Sequence, residues 1–320
     1  MAPLSIWSVG NDEIARALTI DDCLQGLYEA FDALGTDKGA NPQHITVPSE
    51  KGCVLFKPAT VHGAGLGAKI MSVFPGNSSK TPPLPNLNGL IVMMDEDTGK
   101  LKAVLEADLI TTMRTAGGSA VSVQVMAPEN CQVLTVFGAG PQAEWHIRMM
   151  VHVRPSIKQV YVVNRTFSTA ELLAQRMSSV WDGVDIKATA DSEFAVRQAD
   201  IIATCTAARA ALFEANWVKP TCHIAAVGSF THDMRELPVE IFRDADVVVD
   251  CGLASEEAGE LLDAFEMGTL DAAVLPTIGN WIRHGTQPTK GRRTIYKSVG
   301  FGLMDIAVSN KVLEALEAEF

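Results

Sequence analysis

The sequence predicts an α/β protein, with a doubly wound parallel sheet preceded by a segment of α+β character. Three observations carry that expectation. From Cys131 onward, short apolar runs alternate with helical periodicity at intervals of roughly 25 to 30 residues, the rhythm of βαβ units. Ahead of that point, extended stretches follow one another through polar turns, as in antiparallel pairing. Between the first buried run and the helix after it lies a glycine-rich turn. With 320 residues, 47% of them hydrophobic and 20% charged, the chain is long enough for about two domains with full cores.

Taken in order, residues 20–34 place Leu24, Leu27, Tyr28, Phe31 and Leu34 at helical spacing, and Gly35 supplies the stop. Strand candidates follow at 44–47, 54–56, 68–74, 89–94 and 101–105. The last two are joined by Asp95-Glu96-Asp97-Thr98-Gly99, a polar turn with glycine where φ > 0 is expected. Residues 76–88 form a loop rich in Pro, Ser and Asn. A helix is expected over 108–126. Strands at 132–137, 160–163, 186–188, 201–204, 223–227 and 247–249 then alternate with helices at 138–151 and 168–178 and one begun by Asp191. Glu256, Glu257 and Glu260 read as an exposed acidic helix face. The domain boundary falls in the helix before Pro128, giving 1–120 plus 300–320 and 121–299.

Composition excludes several classes. The balance of 26 Lys+Arg against 38 Asp+Glu gives a net charge of −12, and no basic cluster offers a nucleic-acid surface. No apolar run is long enough for a membrane helix and the first residues lack the pattern of a signal peptide, so a soluble cytoplasmic protein is expected. Cys23, Cys53, Cys131, Cys205, Cys222 and Cys251 are scattered, without zinc-ligand spacing, and read as reduced core residues. The histidines are not spaced as metal ligands either, and no metal is expected.

The most informative stretch is Gly138-Ala139-Gly140-Pro141-Gln142-Ala143, directly after a strand and opening a helix. Gly138 permits the tight turn, Gly140 lets backbone N–H groups approach a pyrophosphate, and Ala143 keeps helix and strand close. Where the next strand ends, a carboxylate would bind a ribose 2′-hydroxyl; here stands Asn164-Arg165-Thr166. Arg165 can pair with a 2′-phosphate and the Asn164 and Thr166 side chains can donate to it, which favours NADP(H) over NAD(H). Thr115, Thr204, Val227, Gly228 and Ser229 complete the expected cofactor set.

Three charged residues stand in small or apolar surroundings: Lys69, Arg114 and Asp233. A buried cation is costly unless paired, which makes each a site candidate. In these residues the chain resembles the ornithine cyclodeaminase/μ-crystallin family. The likeness is carried by Ala68-Lys69, Leu109-Ile110-Thr111-Thr112-Met113-Arg114-Thr115-Ala116, the glycine turn, Asn164-Arg165-Thr166, Trp217-Val218-Lys219-Pro220, Asp233-Met234-Arg235-Glu236-Leu237 and Lys297-Ser298-Val299-Gly300. The resemblance implies a Rossmann domain inserted in an α+β substrate-binding and dimerisation domain, a homodimer, and hydride transfer at a carbon–nitrogen bond. It implies that Lys69 and Arg114 hold a substrate carboxylate and that Asp233 acts in proton transfer at nitrogen. The Asn-Arg-Thr run resembles the NADPH-using branch.

Two departures bear on the substrate. Where the family carries a Pro-x-Arg arginine, this chain reads Asn41-Pro42-Gln43-His44, leaving His44 or Gln43 as weaker partners for an acid, so the expected substrate either lacks the α-carboxylate or has it held more weakly. Where cyclodeaminases carry a glutamate for the amino group of ornithine, Val54-Leu55-Phe56-Lys57-Pro58 has no acid, and that pocket reads as more apolar. The expectation is therefore an NADPH-dependent reductase of an imine or ketimine, with reductive amination of a keto substrate a variant of it. The alternatives are ornithine cyclodeamination, an alanine-dehydrogenase-type amino-acid dehydrogenase and a non-catalytic NADPH-dependent ligand-binding protein of the crystallin type.

Overall fold

The structure is a computed structural model that describes residues 6–271 and 275–318. Along the chain run β1 (Trp7–Val9), α1 (Asn11–Ala17), α2 (Ile20–Ala33), β2 (Gly39–Ala40), β3 (Ile45–Ser49), β4 (Gly52–Val61), β5 (Gly65–Val73), β6 (Leu87–Met94), β7 (Leu101–Glu106) and α3 (Ala107–Met126). Next come β8 (Val133–Phe137), α4 (Pro141–Val153), β9 (Gln159–Val163), α5 (Phe167–Ser178), β10 (Asp185–Ala188), α6 (Ser192–Gln198), β11 (Ile201–Thr204) and β12 (His223–Ala226). The remainder is β13 (Ala245–Val249), α7 (Ala254–Glu257), α8 (Gly259–Glu266), α9 (Ile278–His284), β14 (Arg293–Lys297) and α10 (Gly302–Glu317). The chain divides into two compact units, Met1–Arg114 with Phe301–Phe320, and Thr115–Gly300. Among the described residues no helix is long and apolar enough to cross a membrane.

The first unit is built on a mixed sheet in the order β1-β7-β6-β5-β4-β2, with β3 also on β4. Only β1 with β7 is parallel. Opposed residues of neighbouring strands share a face. One row across the sheet is Lys57, Lys69, Ile91, Leu105 and Val9, and the next is Ala59, Gly67, Met93 and Ala103. Helix α10 packs on β4, β5 and β6, and α2 lies against α10. The α2 helix starts at Thr19, whose hydroxyl accepts from Asp22 N at 3.1 Å, and buries Leu24, Leu27 and Phe31. At Gly26 a Cβ would stand 3.2 Å from the Ala307 carbonyl, so glycine there lets the two helices come close. From Gly302 to Ser309 every side of α10 is buried, as expected of a helix apolar all round.

The second unit is an all-parallel sheet, β10-β9-β8-β11-β12-β14-β13. Its central strands are covered on both faces, so β11 and β12 are buried at every position rather than at alternate ones. The chain order reverses between β8 and β11, the switch point beside which doubly wound sheets bind ligands.

The fold class and most strands match the expectations from sequence, with differences at identifiable places. The short β1, α1 and β2 carry too few residues for a period to show. Strand β14 was not expected, because charged residues at both ends, Arg293 and Lys297, disguise a buried strand. Lys297 is fully buried, and the pairing of its Nζ with Glu260 Oε1 at 3.0 Å makes that burial tolerable. The same contact corrects the reading of Glu260 as exposed: Glu256 is exposed, but Glu260 points inward and is 1% accessible. The stretch around Lys57 is likewise not apolar, since Lys57 lies on the buried face directly opposite Lys69.

Candidate functional site

A cleft of about 640 Å³ opens at the switch point of the parallel sheet, within the size range of small-ligand sites. Its walls are the turn after β8 (Gly138, Ala139, Gly140), the turn after β9 (Asn164, Arg165, Thr166, Phe167) and the segment after β11 (Cys205, Thr206, Ala207, Ala208), with Ala190, Ser192 and Leu212. The two glycines differ in kind. Gly138 has φ +116°, and a Cβ there would lie 2.9 Å from the Cys205 carbonyl, so the protein itself requires glycine. At Gly140 a Cβ would meet nothing within 4 Å. The opening is toward space that the protein does not fill, beside the N-terminus of α4 with Pro141 at its first turn. Ala143 is fully buried against the sheet. The Gln142 side-chain oxygen is buried without a hydrogen-bond partner among the described residues. These features fit the pyrophosphate of a dinucleotide.

Arg165 is exposed and is the one charged residue among those lining the cleft. No carboxylate stands among them to repel a phosphate. Asn164 does a different job from the one expected. Its amide donates to the Thr166 carbonyl at 3.0 Å and to Thr169 Oγ1 at 2.6 Å, so both its protons brace the loop ahead of α5.

Thr204, Gly228 and Ser229 are engaged inside the protein. Buried Glu236 gathers the loops after β11 and β12. Its Oε2 accepts from Thr204 Oγ1 at 2.8 Å and from Gly228 N at 2.7 Å, and its Oε1 accepts from Thr206 N at 2.6 Å and from Thr206 Oγ1 at 2.7 Å. Burial pushes the Glu236 carboxyl up, against the pull of Lys297 and these donors. Glu260 Oε2 in turn accepts from Glu236 N at 2.6 Å and from Leu237 N at 3.0 Å. Ser229 Oγ donates to the Met234 carbonyl at 2.8 Å, and Val227 N to the Thr204 carbonyl at 3.1 Å. Thr115 is half-buried on α3. The family-like run Asp233-Met234-Arg235-Glu236-Leu237 contained Glu236, but sequence reasoning passed over it in favour of its neighbour.

Asp233 is exposed, its side chain 53% accessible, and pairs with Arg209 Nη1 at 2.5 Å. The Thr231 hydroxyl, which donates to Oδ1 at 2.6 Å, and the Arg209 guanidinium hold its carboxyl below the usual range. It is therefore an acceptor of charge rather than a donor of protons near neutral pH.

The first unit brings Lys69 and Arg114 together on a residue the sequence reading missed. Asp305 is fully buried in the first turn of α10. Its Oδ1 accepts from Lys69 Nζ at 2.8 Å and from Arg114 Nε at 3.0 Å, and its Oδ2 is buried with no hydrogen-bond partner among the described residues. Burial resists ionisation of this carboxyl, but Lys69 and Arg114 beside it hold it below the usual range. Burial pulls the Lys69 ammonium down to about 7; Arg114 and Lys57 push the same way, and Asp305 offsets only part of the effect. His44 sits just before β3, half-buried, and burial together with Lys57 lowers its proton affinity. The signal for Asp305 was available: it is the one charged residue in the apolar run Gly302-Leu303-Met304-Asp305-Ile306-Ala307-Val308.

The chain is 29% identical to Delta(1)-pyrroline-2-carboxylate reductase of Paracoccus denitrificans, over 83% of this chain and 84% of the relative. Its fold is similar to that of the Thermococcus litoralis Delta(1)-pyrroline-2-carboxylate reductase in complex with NADH and L-proline. The TM-score is 0.90 at 26% identity, and 98% of each chain is covered. An archaeal alanine dehydrogenase dimer with bound NAD gives a TM-score of 0.91 at 26% identity, covering 98% of this chain and 97% of that one. A sequence model of one family spans residues 10–319, and with the glycine turn, the lysine–arginine pair and the fold in agreement, the chain belongs to the ornithine cyclodeaminase/mu-crystallin family.

Proposed function

We propose that the protein is an NADPH-dependent oxidoreductase that reduces a C=N bond of a small imine or ketimine bearing a carboxylate. The carrying observation is the Lys69–Arg114 pair on buried Asp305, cations held ready where a neutral substrate would need none. The cleft of the second unit takes the dinucleotide, with backbone N–H groups of the glycine turn on the pyrophosphate and Arg165 on a 2′-phosphate. When bound, the reduced nicotinamide supplies the hydride, so that imine, proton and NADPH give amine and NADP⁺.

The residues of the chain do the rest. Arg114 and Lys69 bind the carboxylate, with neutral His44 as a further hydrogen-bond partner. Lys69, pulled to about 7, has the proton affinity suited to delivering a proton to the imine nitrogen at neutral pH. Asp233, kept ionised, stabilises the positive charge on that nitrogen. We also propose a homodimer. The archaeal relative is a dimer, and Ile45, Val47, Leu87 and Leu90 leave apolar side chains exposed on β3 and β6.

NADPH oxidation against cyclic imines and ketone–amine pairs, each with and without a carboxylate, tests the reading. Turnover confined to carboxylate-bearing imines is expected; turnover of ketones without amine, or none at all, overturns it. Asp233→Asn should leave NADPH affinity unchanged and slow reduction at least roughly tenfold, and near-normal turnover would remove Asp233 from the mechanism.

A further inference from the structure

A buried charge cluster stands behind one wall of the cleft in the second unit. Glu236, Glu260 and Lys297 are each at most 1% accessible. Lys297 Nζ pairs with Glu260 Oε1 at 3.0 Å and donates to the Ala226 carbonyl at 3.3 Å, so its one charge answers Glu260. Arg235, whose charge also bears on Glu260, is met by Asp263 at 2.6 and 2.8 Å, and that pair adds no net charge. Glu236 feels Lys297 but has no ion-pair partner of its own among the described residues. Dipoles hold it instead: the Thr206 N–H and hydroxyl donate to Oε1, and the Thr204 hydroxyl and Gly228 N–H to Oε2. Two donors on each oxygen are the arrangement of an ionised carboxylate. The cluster then carries one negative charge in excess. Burial presses against that charge, as does Glu260, so a cation brought to the cleft would relieve it.

Thr206 lines the cleft, and the Glu236 carboxylate lies 2.6 Å behind its N–H. The sheet runs β9, β8, β11, β12 in space. With Arg165 after β9 and the glycine turn after β8, the remaining half of a dinucleotide extends toward β11 and β12. Those are the two strands whose following loops Glu236 ties together.

We propose that the excess negative charge of the Glu236–Glu260–Lys297 cluster favours the cationic ring of NADP⁺ over the neutral ring of NADPH. Loss of a hydride, with its electron pair, turns the neutral ring into a cation, and the cluster offsets that gain of charge. The proposal rests on the reading of the cleft as an NADPH site. Glu236 makes no bond to substrate; it is a positioning residue that acts through Thr206, Gly228 and its own charge.

Dissociation constants for NADP⁺ and NADPH, measured by calorimetry on the full chain without substrate, test the inference. The unmodified protein should bind NADP⁺ at least as tightly as NADPH. Glu236→Gln and Glu260→Gln each remove one charge from the cluster at a different place. Each should raise the ratio of the NADP⁺ constant to the NADPH constant at least roughly tenfold, the scale of one charge at short range in a partly screened interior. Glu236→Asp, which keeps the charge, should leave the ratio close to that of the unmodified protein. A brace that merely held the two loops would weaken both forms alike and leave the ratio unmoved in every variant. That outcome overturns the inference and leaves the dinucleotide site standing. Tighter binding of NADPH than of NADP⁺ by the unmodified protein overturns it too, whether or not the variants fold. Binding of neither dinucleotide to the unmodified protein overturns the reading of the cleft and the inference together.

Discussion

Replacing Asp305 with asparagine keeps the side chain's shape and removes the charge that lets Lys69 and Arg114 exist in the interior. Breaking a buried ion pair in this way costs about 3–5 kcal/mol, and the midpoint of chemical denaturation should fall accordingly. The loss should also move a titration. Without the Asp305 charge the Lys69 ammonium loses its stabilising partner, so its proton affinity drops below the present value of about 7. The alkaline limb of the activity profile should then shift toward acid, and an unmoved limb would show that Lys69 does not set it. Arg165 makes the opposite kind of prediction, because it is exposed and lines the cleft. Arg165→Ala should leave thermal stability alone and weaken NADPH binding at least roughly tenfold, the scale of one charged hydrogen-bonding contact, while NADH affinity changes little. Equal losses for both dinucleotides would contradict its assignment to the 2′-phosphate.

A turn between a strand and a helix shows how two identical letters do different work. Gly138→Ala puts a methyl group at positive φ against the Cys205 carbonyl and should lower the melting temperature. Gly140→Ala enters open space and should leave the melting temperature unchanged while weakening NADPH binding. A stable Gly138 variant, or full NADPH affinity in the Gly140 variant, would refute the division of labour. From the sequence, the turn and the alternation of strands and helices were legible because local pattern alone specifies them. Lys69 and Arg114 were legible as cations out of place among small and apolar neighbours. Glu236, Glu260 and Lys297 were not, since each is made tolerable by a partner far away in the chain; Asp305 stood out as a lone charge in an apolar run, but nothing local tied it to Lys69, 236 positions earlier. One-dimensional pattern shows that a buried charge is odd but not what answers it. For the same reason Lys57 looked unremarkable until the register of β4 and β5 set it opposite Lys69.

Acid should destabilise the molecule in a defined window. His146 Nδ1 donates to the Gln142 carbonyl at 2.7 Å and its Nε2 accepts from Ser119 Oγ at 2.9 Å, and His223 lies between Ser122 Oγ at 3.0 Å and Thr294 Oγ1 at 2.8 Å. Burial lowers their proton affinities to about 4 and about 3, from 6.5. Between those values the unfolded chain binds protons that the folded one refuses. Their stabilising effect is thus complete above pH 6.5 and is lost as pH falls toward 4 and then 3. Urea midpoints should fall steeply between pH 6.5 and 4, and His146→Gln should flatten that slope; an unchanged slope would mean the histidine is not responsible. The order of strands has a consequence of another sort, for synthesis. Strand β14 slots between β12 and β13, which precede it, and α10 covers the sheet whose strands were made first. A ribosome-bound intermediate ending near residue 290 would therefore hold β13 with no neighbour to pair with and leave Lys69 facing no counter-ion. Neither half can lock until β14 and α10 have emerged, and up to that moment the nascent polypeptide leaves a sheet edge and apolar surface open.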